Sequence, residues 1–162
     1  MQNETKTNII RLIVSILIPQ AAGAIGAMLT LPSVSSWYAG LNKPPFNPPD
    51  WIFGPVWTAL YLLMGISLYF AWKKGLHRKD VKTAVILFAL QLLLNVAWTY
   101  LFFYLHKPLT AFVEIIVLWL CIAGTMISLF RVSTRAGVLF IPYLIWVSFA
   151  SVLNFFLWRL NT

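Results

Sequence analysis

The side chains in this sequence with most capacity for chemistry are indoles, phenols and carboxamides, and they recur at helical spacing. At 100° per residue, Tyr143, Trp146, Ala150 and Asn154 fall within about 80° of arc. Gln91, Asn95, Trp98 and Phe102 share a face by the same spacing, as do Trp57, Tyr61 and Met64, and Gln20, Ala24 and Ala27. Turned toward one another, these stripes would enclose an aromatic-lined cavity with a few fixed hydrogen-bonding groups, the usual make-up of a small-molecule site. A competing role exists for each residue type: Asn and Gln tie helices together at about 0.6 to 2 kcal/mol per hydrogen bond, and Trp and Tyr form interfacial belts. Trp51, Trp72 and Trp158 lie near segment ends and fit the belt. Trp57 and Trp146 lie about two turns inside their segments and on the shared faces, which favours a ligand role.

Other chemistry has little to stand on. Cys121 is the single cysteine, and His77 and His106 sit in connecting loops, so no internal disulfide or metal-ligand cluster is expected. There is no phosphate-cradling loop, nucleophile elbow or paired-carboxylate motif. Glu114, about a turn and a half into the fourth apolar segment, is expected to reach the surface by snorkelling and to act as an anchor.

The elements that must position the stripes follow from hydropathy. Of 162 residues, 60% are hydrophobic and only 10% charged, with a mean hydropathy of +0.82. Charges cluster, leaving uncharged gaps at Leu12 to Asn42, Trp51 to Trp72, Thr83 to Leu105, Ile115 to Phe130 and Ala136 to Trp158. Most of these match the ~20 residues that cross a hydrocarbon core, and the fourth does so if it begins at Pro108. The fold class is therefore an all-α integral membrane bundle of five transmembrane helices in one domain. Its expected helices are 8–31, 51–73, 80–105, 108–130 and 134–160, with a proline-rich lid loop over 32–50. A β-barrel is disfavoured, because its strands would alternate in tracts of about 10 residues.

Lid chemistry is explicit in the sequence. Pro44, Pro45, Pro48 and Pro49 fix φ and remove donors, so 43–49 is expected to be extended, holding Trp37, Tyr38, Phe46 and Trp51 at low entropic cost. Asp80 and Thr134 are the expected N-caps of the third and fifth helices. Ala22, Gly23, Gly26 and Ala27 form small-xxx-small pairs that serve either packing within the chain or a dimer contact. The first segment imitates a signal peptide, but it continues uncharged through Leu31 and is expected to be a retained helix.

Five crossings place nine of the twelve Lys and Arg residues on one side: Lys6, Arg11, Lys73, Lys74, Arg78, Lys79, Lys82, Arg131 and Arg135. Only Lys43, Lys107 and Arg159 fall on the other. The positive-inside rule then predicts a cytoplasmic N-terminus in the cell membrane, with the lid outside. The net charge of +8 is mostly this bias, and no nucleic-acid partner is expected.

The stretches WYAGLNKPPFNPPDWIFGPVWTALYLLMG, LQLLLNVAWTYLFF and VLFIPYLIWVSFASVLN, with the five-helix pattern, closely resemble the TspO/translocator protein family, also called the tryptophan-rich sensory or peripheral benzodiazepine receptor family. The resemblance covers nearly the whole chain. It implies a five-helix bundle, often a homodimer, with a pocket under the first loop for porphyrins such as protoporphyrin IX and for synthetic benzodiazepine-type or isoquinoline ligands. By the same resemblance the pocket includes Tyr38, Pro48, Trp57, Tyr61, Asn95, Trp98, Trp146 and Ala150, and Trp57 and Trp146 match two tryptophans implicated in light-dependent porphyrin breakdown. No resident cofactor is implied. The family's sterol motif needs a Tyr where Val152 to Arg159 offers Phe155 or Phe156, which disfavours sterol binding.

Three functional classes compete: a receptor or sensor that binds tetrapyrroles, regulates their metabolism and promotes their photodegradation; a transmembrane transporter of porphyrins or related lipophilic molecules; and a regulatory protein contacting partners through the basic second loop. Transport has no sequence support from inverted repeats or broken helix pairs.

Overall fold

Each apolar gap folds as a helix long enough to cross a bilayer. In the computed structural model, which describes residues 2–162 and side chains from Glu4 onward, these are α1 (Gln2–Val34), α2 (Asp50–Trp72), α3 (Lys79–Thr99), α4 (Pro108–Val132) and α5 (Thr134–Leu160). No strand occurs among the described residues. The chain is an all-α, multi-pass membrane bundle. Around it the helices pack in the order α1, α2, α5, α4, α3, with α3 closing back on α1.

Glycine sets the closest approach. A Cβ on Gly65 of α2 would lie 2.6 Å from Ile16 Cα and 2.9 Å from the Ser15 carbonyl oxygen. That carbonyl lacks its helical partner because Pro19, four residues on, has no N–H. Proline in one helix and glycine in the next thus meet at one point, where the exposed carbonyl sits against a residue with no side chain. Gly23 serves α1 in the same way, since a Cβ there would come within 2.6 Å of the Tyr61 ring. Gly26 faces Thr99 of α3. Gly23 and Gly26 of the small-residue stripe are therefore spent on contacts within the chain.

Several expected boundaries move. Helix α1 runs through Pro32 to Val34, where 31 was expected as its end, because Ser33 is anchored by donating to the Phe103 carbonyl at 2.6 Å. The third helix does not stay α-helical to 105. Its last turn, Tyr100–Tyr104, is a single turn of π-helix closed by the Leu105 N–H on the Tyr100 carbonyl at 2.9 Å. The wider turn buries Phe102 beside Trp98 (5.3 Å between ring centres) and leaves the Phe103 carbonyl for Ser33. Arg78, not Asp80, precedes the first residue of α3. Asp80 instead grips Arg78 at 2.6 Å and accepts from the Val81 N–H. Ser133, extended at φ −160°, is the N-cap residue of α5, making Thr134 its first helical residue.

Candidate functional site

The four stripes converge, and they do so in two storeys. In the lower storey the side chains close on each other. Tyr61 donates to Asn95 Oδ1 at 2.6 Å and Asn95 Nδ2 donates to the Tyr143 hydroxyl at 3.0 Å, joining α2, α3 and α5 in one buried chain. Gln91, one turn below Asn95, points its amide nitrogen at the Met64 sulfur (3.9 Å), and both residues are fully buried. In the upper storey the same stripes stand apart around a cavity of about 560 Å³. Trp57, Tyr61, Trp98, Trp146 and Ala150 line it, with Gln20, Ala24 and Ala27 of α1 opposite and Tyr38 of the first loop above. No residue of α4 reaches it.

Within this wall the aromatic rings are ordered by one another. Trp57 stacks on Tyr61 (5.5 Å, 28°) and meets Tyr143 edge-on (6.2 Å). Trp146 packs edge-on against Phe53 at 6.0 Å and tilts against Phe149 at 5.5 Å. Neither indole N–H, on Trp57 or on Trp146, is engaged by another group among the described residues. Trp98 differs. Its N–H donates to Asn154 Oδ1 at 2.9 Å, and Asn154 Nδ2 in turn holds the Pro108 carbonyl at the start of α4.

Asn95 and Pro48 stand outside the cavity wall. Asn95 is buried in the floor, with its oxygen and one N–H already committed to tyrosines, so it acts on the site through the position of Tyr61. Pro48 is half-buried and its carbonyl accepts from Asn47 Nδ2 at 2.9 Å, placing it in the internal bracing of the lid. Trp51 makes the opposite move. It is 74% exposed, as an interfacial residue should be, yet it also lines the cavity mouth. Thr30, Phe53, Thr99 and Asp50 are among the further wall residues that helical spacing did not single out. Thr99 was legible, lying one turn after Asn95 on the same helix.

The lid is fastened at three points rather than merely stiff. It is not uniformly extended: Tyr38–Gly40 forms a 3-10 turn, and the Asn47 N–H closes a β-turn on Pro44. The Tyr38 hydroxyl donates to Asn47 Oδ1 at 2.9 Å, and Lys43 Nζ sits 4.3 Å over the Tyr38 ring. Burial, followed by the nearby Asp50 carboxylate, pushes the Tyr38 phenol up to about 12, against the lowering effect of its bond to Asn47. At one end Trp37 stacks on His106 (4.3 Å, 18°), whose ring also meets Ser33 Oγ at 3.1 Å. His106 holds this place at φ 53°, a left-handed conformation in the short α3–α4 link. At the other end Asn42 and Asn161 exchange backbone-to-amide hydrogen bonds, both 2.9 Å, fixing the lid to the end of α5.

Glu114 does not snorkel. Both carboxyl oxygens are buried and have no hydrogen-bond partner among the described residues.

An aromatic cavity under the first loop is in keeping with the pocket that the sequence resemblance implied, and comparison with known proteins decides the family. Residues 15–159 match the model of the TspO/MBR family. The chain belongs to this family. It is 46% identical over 154 residues to a tryptophan-rich protein TspO of Archaeoglobus fulgidus, covering 95% of this chain and 99% of that one. It is 42% identical to a tryptophan-rich sensory protein of Cereibacter sphaeroides, across 87% of both chains. To a translocator protein of Bos taurus it is 39% identical, across 90% of this chain and 86% of the other. These TspO/MBR relatives span most of the chain, so the match takes in the lid, the cavity and the floor together.

Proposed function

We propose that this family member is a membrane receptor that binds a tetrapyrrole such as protoporphyrin IX in the cavity beneath the first loop, and that light and oxygen then drive breakdown of the bound pigment. The observation that carries this reading is the pair Trp57 and Trp146: two indoles from different helices on one cavity wall, both with unspent N–H groups. A flat apolar macrocycle suits stacking against indole faces, and the free N–H groups offer hydrogen bonds to its carboxylates. The volume falls in the ~300–1,000 Å³ range of small-molecule sites. A photoexcited porphyrin in the presence of dioxygen oxidises electron-rich rings beside it, which puts both tryptophans in reach of the photochemistry. Synthetic benzodiazepine-type and isoquinoline ligands, being flat and apolar, would compete for the same space.

A binding role is favoured over transport by the floor. The Tyr61–Asn95–Tyr143 chain and the packed Met64 and Gln91 below it lie between the cavity and the basic end of the bundle. Under the positive-inside rule that basic end faces the cytoplasm, leaving the lid on the opposite surface of the cell membrane. Illumination of the purified protein with protoporphyrin IX tests the photochemical half. Trp57→Phe and Trp146→Phe should each slow pigment loss. Loss at the parent rate in both variants would show that the indoles take no part.

A further inference from the structure

A second concavity lies at the opposite, basic end of the bundle. It is a groove of about 370 Å³ between α2 and α5, lined by Phe70, Thr134, Arg135, Val138 and Leu139. We propose that this groove is a binding site for an anionic phospholipid, with Arg135 taking the phosphate and the apolar channel below taking the start of an acyl chain.

The groove is built on a tight joint. Ser67 donates to the Ala136 carbonyl at 2.7 Å, and Ser67, Ala71 and Ala136 are all fully buried, so α2 and α5 approach closely at this level. Phe70, beside Ala71, and Arg135, beside Ala136, are thereby carried to the outer side of the same joint. Gly137 adds a second constraint, since a Cβ there would collide with the Phe130 ring of α4. The first turn of α5 is held from two sides and cannot drift out of register with α2.

Charge identifies the occupant. Arg135 is exposed, lies 5.9 Å over the Phe70 ring and has no acidic partner among the described residues. Lys73, Lys74 and Arg131 share its end of the bundle. Of the four acidic residues, Asp80 is already paired with Arg78, Asp50 lies at the opposite end of α2, the Glu114 carboxyl is buried within α4, and Glu4, in the first turn of α1 at the basic end, makes no ion pair with Arg135. A guanidinium held over an aromatic ring by its cation–π attraction keeps its N–H groups free for phosphate oxygens. Below it Val138 is 51% exposed and continues the groove along the membrane-facing flank of α5, where a free phosphate would find no partner but an acyl chain would.

The test is a thermal-unfolding titration of the purified protein in neutral detergent, with phosphatidylglycerol compared against phosphatidylcholine. Phosphatidylglycerol should raise the unfolding midpoint saturably and phosphatidylcholine should not. Arg135→Gln should raise the half-saturating concentration about tenfold or more, the loss of a direct charged hydrogen bond to phosphate, whereas Lys82→Gln on α3, which makes no such contact in the site, should move it by less than about fivefold. Val138→Trp fills the groove without changing charge and should abolish the selective rise. An equal response to both lipids, equal effects of Arg135→Gln and Lys82→Gln, or an unaffected Val138→Trp would each overturn the site. The first would remove any charge selectivity, and the second would leave only diffuse surface charge.

Discussion

Tyr61 gives its hydroxyl hydrogen to Asn95 at 2.6 Å, and that bond marks the level at which the bundle stops being solid and becomes hollow. Below it the interior is packed and hydrogen-bonded; above it the Tyr61 ring faces the cavity and supports Trp57. Asn95→Leu would leave two buried tyrosine hydroxyls without this partner, at a cost of about 1–3 kcal/mol. The apparent unfolding midpoint should fall. Adding Tyr61→Phe should then cost less on the Asn95→Leu background than on the parent, a coupling that a double-mutant cycle measures.

The lid clamp makes a kinetic prediction. Asn161→Ala removes the reciprocal bonds to Asn42 while leaving every cavity-lining side chain in place. Pigment should dissociate several-fold faster with little change in its bound spectrum, as stopped-flow release would record. Unchanged release would mean that the lid does not gate the cavity.

Backbone contact at Gly65 can be tested against glycines with room. Gly65→Ala would press a methyl into the α1 backbone at Ile16 and Ser15, and overpacking of this kind costs about 1–3 kcal/mol. Gly54→Ala and Gly124→Ala meet nothing within 4 Å. In helix interiors they should be neutral or stabilising by up to about 1 kcal/mol. Thermal unfolding of the three variants should separate them in that order.

Tyr38 gives the lid a pH dependence at the alkaline side. Its phenol is raised from 10.0 to about 12 in the folded loop, so the native state holds the proton more tightly than the released loop does. The stabilisation is fully present below pH 10 and disappears as pH rises toward about 12. Limited proteolysis of the first loop should accelerate across that window in the parent. Tyr38→Phe, which has no proton to lose, should lack the Tyr38 contribution to that acceleration.

How much of this was legible in the sequence depends on what each feature needs. The stripes were legible, because Trp57 with Tyr61, Trp98 with Phe102 and Trp146 with Ala150 are neighbours by helical period alone. The level at which the stripes part was not. Whether Asn95 lines the cavity or lies beneath it depends on the axial offset between helices, and that offset is set by close contacts such as Gly65 on Ser15 and Gly23 on Tyr61. The π turn at Tyr100–Tyr104 carries no proline or glycine to announce it, and it moves Phe102 and Phe103 relative to an α-helical projection. Glu114 misled for a related reason. Depth along a helix suggested an escape to the surface, while rotation about the helix buried both oxygens.

The account rests on one space shared by the indoles of α2 and α5, and a dark absorption titration with protoporphyrin IX examines that space directly. The parent should bind saturably with a shifted visible spectrum. Ala150→Leu, which projects extra volume from α5 into the cavity, should weaken binding about tenfold at an overpacking cost of 1–3 kcal/mol. Binding as tight in Ala150→Leu as in the parent would place the pigment somewhere else and contradict the account.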